Sequence, residues 1–233
     1  MLPNTTKPVC IPRDLQMQAA MFRLGKIEEE IEQGFEILRK YHKTVTFFGS
    51  ARTNPESPYY KAAADAAERL ASLGYAVVSG GGHGIMGAAN EGAHTAVQHG
   101  ARKAGGESIA FNIKLPHEQE VNEYATESFE FQHFAPRKIV MTLYADAYIY
   151  FPGGFGTLDE LAEILTLIQT QKANKAPVIL FDHEFWSGLD EFFRNRMLKE
   201  GTISESDLEI YTITDSVDEI IELVRSNTTY CSH

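Results

Sequence analysis

The segment Phe151-Pro152-Gly153-Gly154-Phe155-Gly156-Thr157-Leu158-Asp159-Glu160 sets three glycines between an apolar run and a carboxylate. Gly153, Gly154 and Gly156 leave the backbone around Phe155 free to curl its N–H groups about an anion, where a helix start adds the positive end of its peptide dipoles. Thr157 is placed to cap that helix and to add its hydroxyl. Two readings of Glu160 stay open. Thr157-x-x-Glu160 has the spacing of a capping box, in which the Glu only bonds the N–H of the cap residue. The same carboxylate, one turn from a bound anion, also has the chemistry of an acid, a base or a cation stabiliser. Arg137, between Pro136 and Lys138, is either a surface arginine opening a helix or a fixed charge whose rigid donor fork suits a phosphate, a sugar hydroxyl or a carboxylate.

A second glycine-rich stretch, Ser79-Gly80-Gly81-Gly82-His83-Gly84-Ile85-Met86-Gly87, has five glycines in eight positions from Gly80 to Gly87. Tight turns and close packing account for one or two of them. Backbone approach to a ligand accounts for the cluster, with Gly80, Gly81 and Gly82 as phosphate or ribose contacts and Met86 and Asn90 as candidate walls of a base pocket. Gly82, Gly84 and Gly87 also spell G-x-G-x-x-G. A dinucleotide site further needs an acidic residue at the end of the next strand, and that strand closes on Asn112 and Lys114. Hydride transfer is therefore the weaker reading. Ser50 and Arg52, after Phe48-Gly49, sit where a ribose or phosphate contact could arise. The histidines form no H-E-x-x-H pattern and have no cysteine partners, so a metal site is not expected.

The elements that must position these residues follow from periodicity. Short β-branched and aromatic runs are expected as strands at Val45–Gly49, Ala76–Ser79, Ser108–Ile113, Glu127–Phe131, Ala147–Phe151, Val178–Phe181 and Ile210–Ile213. Helical patterns fall between them at 58–73, 85–100, 136–145, 158–172, 185–199 and 216–225. This alternation is the signature of βαβ units, and the almost continuously apolar strands suit a parallel sheet covered on both faces. The fold class is α/β: a Rossmann-like three-layer α/β/α sandwich with a parallel sheet and an N-terminal helical extension. That extension runs from about Leu15 to Tyr41, with a stripe of Leu24, Ile27, Ile31, Phe35 and Leu38 opposite Glu28, Glu29, Glu30 and Glu32. The stripe packs either on its own domain or on a neighbouring subunit. The partition is a leader and helix at 1–43, a catalytic domain at 44–225 and a polar tail at 226–233.

Pro136-Arg137-Lys138, the Pro152 to Glu160 loop and Leu165-Thr166-Leu167-Ile168-Gln169-Thr170 together resemble the LOG family of cytokinin-activating phosphoribohydrolases, long labelled lysine decarboxylases. Gly80-Gly81-Gly82-x-Gly84-Ile85-Met86 is similar to the family's first nucleotide loop, and Pro177 to Phe181 with Phe185-Trp186 to its next strand and helix start. The resemblance spans about Thr44 to Arg225. It implies hydrolysis of the N-glycosidic bond of a nucleoside 5′-monophosphate such as AMP or an N6-modified AMP. The products would be a free base and ribose 5-phosphate. It implies Arg137 and Glu160 as the catalytic positions, Gly153–Thr157 and Gly80–Gly84 as the phosphate and ribose loops, no cofactor, and a homo-oligomer, dimer or hexamer. The residue types agree with such chemistry, because a cleaving glycosidic bond builds positive charge on the sugar that a nearby carboxylate stabilises. A nucleotide sensor or carrier using the same loops without turnover is the alternative.

Composition limits the partners. With 233 residues, 43% hydrophobic and 23% charged, the chain can bury a real core. A net charge of −11, with the acidity concentrated toward the C-terminal end, argues against nucleic acid or an anionic membrane as partner. Cys10 and Cys231 lie near opposite ends and suggest neither a disulfide framework nor a metal cluster. The sequence reads as cytoplasmic, with no signal-peptide pattern and no apolar stretch near the roughly 18 residues a membrane span needs.

Overall fold

The computed structural model describes residues 11–115 and 121–226, so both cysteines, Pro3, Pro8 and residues 227–233 lie outside the described residues. Seven parallel strands form one sheet: β1 (Thr44–Phe48), β2 (Ala76–Ser79), β3 (Glu107–Ile113), β4 (Glu127–Phe131), β5 (Ala147–Tyr150), β6 (Val178–Phe181) and β7 (Tyr211–Thr214). Their order is β4-β3-β2-β1-β5-β6-β7. Successive side chains of a strand point to opposite faces, so the apolar runs feed two cores at once. Phe47, Val77, Ile149 and Ile179 pack on one face, and Phe48, Val78, Tyr148, Tyr150 and Leu180 on the other.

Helices α2 (Pro58–Ser72), α3 (Ile85–Gln98) and α7 (Val217–Ser226) cover the first face. Helices α1 (Arg13–Leu38), α4 (Phe134–Thr142), α5 (Phe155–Gln169) and α6 (His183–Phe192) cover the second. The result is the expected Rossmann-like α/β/α sandwich. Alanines line the α2–α3 contact, and at Gly92 a Cβ would lie 2.0 Å from the Ala64 carbonyl oxygen, so only glycine permits the approach. The helix expected at 185–199 ends its α-helical part at Phe192 and continues as a π-helical turn over Phe193–Met197. None of the helices among the described residues is long and apolar enough to cross a membrane.

Helix α1 departs from its expected faces. Its second half packs on the domain through Phe35, Ile37 and Leu38, whereas Met21, Phe22 and Leu24 in its first half are exposed. Glu30, read from the sequence as part of the polar face, is buried. The cause is a set of donors on another element, described below, which periodicity cannot reveal.

The chain leaves β1 toward β2, β3 and β4, then returns to place β5 on the other side of β1. Crossovers on the two sides of this reversal diverge, opening a crevice at the strands' carboxyl ends. The β1 and β5 loops therefore meet there, and with them the residues singled out in the sequence.

Candidate active site

Backbone hydrogen bonds stitch the three loops together through Ser50. Its N–H donates to the Pro152 carbonyl at 3.0 Å, and its carbonyl accepts the Ile85 N–H at 3.0 Å. Gly84 must be glycine for this arrangement: its φ is +62°, and a Cβ would lie 2.2 Å from the Ser50 carbonyl oxygen. The Ser50 hydroxyl accepts the Arg52 N–H at 3.1 Å, turning the chain at the lip of the crevice.

The crevice is a cleft of about 510 Å³. Ser50, Gly80, Met86, Arg137, Gly154, Phe155, Gly156, Thr157 and Glu160 all line it. Four residues singled out in the sequence do not. Gly81 (φ +74°) donates its N–H to Ser79 Oγ at 3.0 Å, and its carbonyl accepts the Asn122 N–H at 2.9 Å. The Gly82 carbonyl accepts from Asn122 Nδ2 at 3.1 Å. Asn90 is fully buried, bonded to Ser79, Ser108, Ile109 and Asn122. These groups hold the glycine loop from behind. Gly153 makes room for a neighbour, since a Cβ there would meet Thr157 Oγ1 at 2.1 Å.

Helix α5 starts earlier than a capping box at Thr157 requires. Gly154 is the N-cap, no side chain caps it, and Thr157 lies within the first turn. The first N–H groups of α5 thus open on the cleft without intrahelical acceptors, the arrangement that favours an anion. Glu160 lies beyond that turn. It is 7% exposed, and its Oε2 has no hydrogen-bond partner among the described residues. Burial pushes its carboxyl up to about 7, against the pull of Arg137 and Lys138 and with a further push from Glu163 and Asp159.

Arg137 enters from α4. Its Nε donates to the Phe111 carbonyl at 2.7 Å, leaving the rest of the guanidinium for the cleft. Burial lowers its pKa, and the neighbouring Glu160 opposes that shift. Lys138 turns away from the cleft to bridge Asp159 (2.8 Å) and Glu163 (3.0 Å), tying α4 to α5 on either side of Glu160. A buried carboxylate with a free lone pair, an uncapped helix start and a fixed guanidinium share one cleft, a set suited to a phosphorylated, cation-forming reactant. Among the described residues no group of three or more His, Cys, Asp or Glu is placed to hold a metal ion.

The sequence reading missed Phe47, Phe48, Phe134 and Met141, which also line the cleft. A signal existed for two of them. Phe134, Arg137 and Met141 fall at i, i+3 and i+7, one face of α4.

Known proteins resemble this chain in sequence and in fold. Residues 86–224 match the family model described as "Possible lysine decarboxylase". A rice (Oryza sativa subsp. japonica) protein named a probable cytokinin riboside 5′-monophosphate phosphoribohydrolase is 30% identical over 192 residues, covering 82% of this chain and 87% of its own. A Mycobacterium marinum protein named cytokinin riboside 5′-monophosphate phosphoribohydrolase is 30% identical over 178 residues, covering 76% and 89%. Among solved structures, the molybdenum cofactor binding protein of Rippkaea orientalis is similar at a TM-score of 0.54 and 25% identity, covering 78% of this chain and 94% of its own. The match over more than half the chain, with relatives 30% identical across most of both lengths, shows that the chain belongs to the LOG family.

Proposed function

We propose that the protein hydrolyses the N-glycosidic bond of a nucleoside 5′-monophosphate, AMP or an N6-modified AMP, to the free base and ribose 5-phosphate. The relatives' names support the reaction class, and one observation carries it to this site. Glu160 lines the cleft that the uncapped start of α5 opens onto, and its buried Oε2 has no hydrogen-bond partner among the described residues.

The phosphate rests on the N–H groups of Gly154 to Thr157, with Ser50 and Gly80 near the ribose. As the bond between C1′ and the base lengthens, positive charge gathers on the sugar. Glu160 stabilises that charge and takes a proton from water; the hydroxyl joins C1′, and the departing base takes up a proton. Arg137 holds a phosphate or sugar oxygen and keeps Glu160 ionised often enough to act. No step uses a cofactor. The protein works in the cytoplasm as a homo-oligomer, dimer or hexamer.

Incubation with a panel of nucleoside 5′-monophosphates, without added metal, is the test. Release of base and ribose 5-phosphate supports the proposal, and no release from any member removes it. The likeness to a molybdenum cofactor binding protein favours a carrier as the second reading. Tight nucleotide binding by calorimetry with no product would establish that instead. An unpartnered carboxylate is costly to bury and brings a carrier no benefit, which favours turnover.

A further inference from the structure

We infer that Glu30, on the N-terminal helix, is a positioning residue for Arg137, so that α1 is a working part of the active site. This rests on the role of Arg137 proposed above. Glu30 is buried, and its Oε2 accepts the N–H groups of Gln132 and His133, each at 3.2 Å. Its Oε1 lies 2.9 Å from His133 Nδ1, which must carry the hydrogen because a carboxylate only accepts. His133 is the N-cap of α4, and its own side chain makes no cap hydrogen bond. A carboxylate from α1 therefore fixes the two residues that lead into α4, near the end of the helix dipole where negative charge is favourable. Arg137 is one turn further along α4.

The helices are also locked by shape. A Cβ on Gly34 would lie 2.6 Å from Val140 Cγ2, so α1 approaches α4 as closely as glycine allows. Phe35 meets Tyr144 edge to face at a centroid distance of 5.4 Å. Releasing Glu30 frees the start of α4 to shift, and displacement of a catalytic group by about 1 Å can cost on the order of 100-fold in rate.

The test compares Glu30→Ala with Glu30→Gln, which keeps an acceptor oxygen. Glu30→Ala should lower kcat on AMP roughly 10-fold or more. It should also move the pH–rate limb governed by Glu160 to higher pH, because Arg137 no longer holds that carboxyl down. Glu30→Gln should restore both. A merely structural role would scale the rate with the folded fraction and leave the limb in place. A second readout needs no turnover: the ¹⁵N resonance of Arg137 Nε–H, assigned with Arg137→Lys, should be protected from exchange in the unaltered protein and lose protection in Glu30→Ala. Should Glu30→Ala not fold, Gly34→Ala presses the same helices apart and carries both readouts. An unmoved limb with a protected Nε–H overturns the inference. If the unaltered protein releases no base, the proposed function fails alone, and the resonance still decides whether Glu30 positions Arg137.

Discussion

Arg137 Nη2 occupies the space where a side chain on Gly80 would begin, 2.3 Å from the site of its Cβ. Glycine at 80 thus serves the guanidinium: the backbone itself forms one wall of the slot that holds Arg137. Gly80→Ala is expected to expel the guanidinium and to lower kcat/KM by roughly 10- to 100-fold. Circular dichroism should show the fold retained, and steady-state rates on AMP read the effect.

Glu160→Gln keeps the shape of the side chain and removes the charge. Turnover should fall on the order of 10²–10⁴-fold, the usual range for a positioned acid–base group. In the unaltered enzyme kcat/KM should rise with pH through about 7 as Glu160 ionises, and that limb should vanish from the residual activity of the variant. Turnover unchanged by the substitution would leave Glu160 no chemical role.

The same carboxyl makes stability depend on pH in an unusual direction. Its folded value of about 7 lies above its ordinary 4.5. Below 4.5 it is protonated whether or not the chain is folded, and contributes no penalty. As pH rises from 4.5 to 7 the unfolded chain releases the proton first, so the folded state loses ground. The loss is complete above 7 and is on the order of 3 kcal/mol. Glu160→Gln should therefore melt at a higher temperature than the unaltered protein at pH 8, with the gap closing toward pH 4.5. An equal gap at both pH values would contradict the burial argument.

Asn122 ties the back of the glycine loop through the Gly81 and Gly82 carbonyls and Asn90. Asn122→Ala keeps the backbone N–H on the Gly81 carbonyl but takes the Nδ2 donor from the Gly82 carbonyl and from Asn90, and should cost about 1–3 kcal/mol in urea denaturation. The loosened loop should also raise KM for the nucleotide. Intact stability with a raised KM would separate the loop's role in binding from its role in the core.

Much of this protein is legible along the chain because the information is local. Apolar alternation bounds the strands, and glycines at strand ends mark the loops that approach a ligand. Type and spacing leave Arg137 and Glu160 open to structural readings, and the resemblance to the LOG family is what singles them out. Thr157 shows where local reasoning stops. Its spacing to Glu160 fits a cap, yet three glycines let the helix start at Phe155 and leave the carboxylate free of that duty.

Only the tertiary structure decided which groups face the cleft and which support it, because burial and partnership depend on segments far apart in sequence. Asn90 is turned into a closed polar network by Ser108 and Asn122, and Glu30 is drawn inward by donors at residues 132 and 133. The raised pKa of Glu160 likewise comes from desolvation by surrounding elements, a property no window of residues contains.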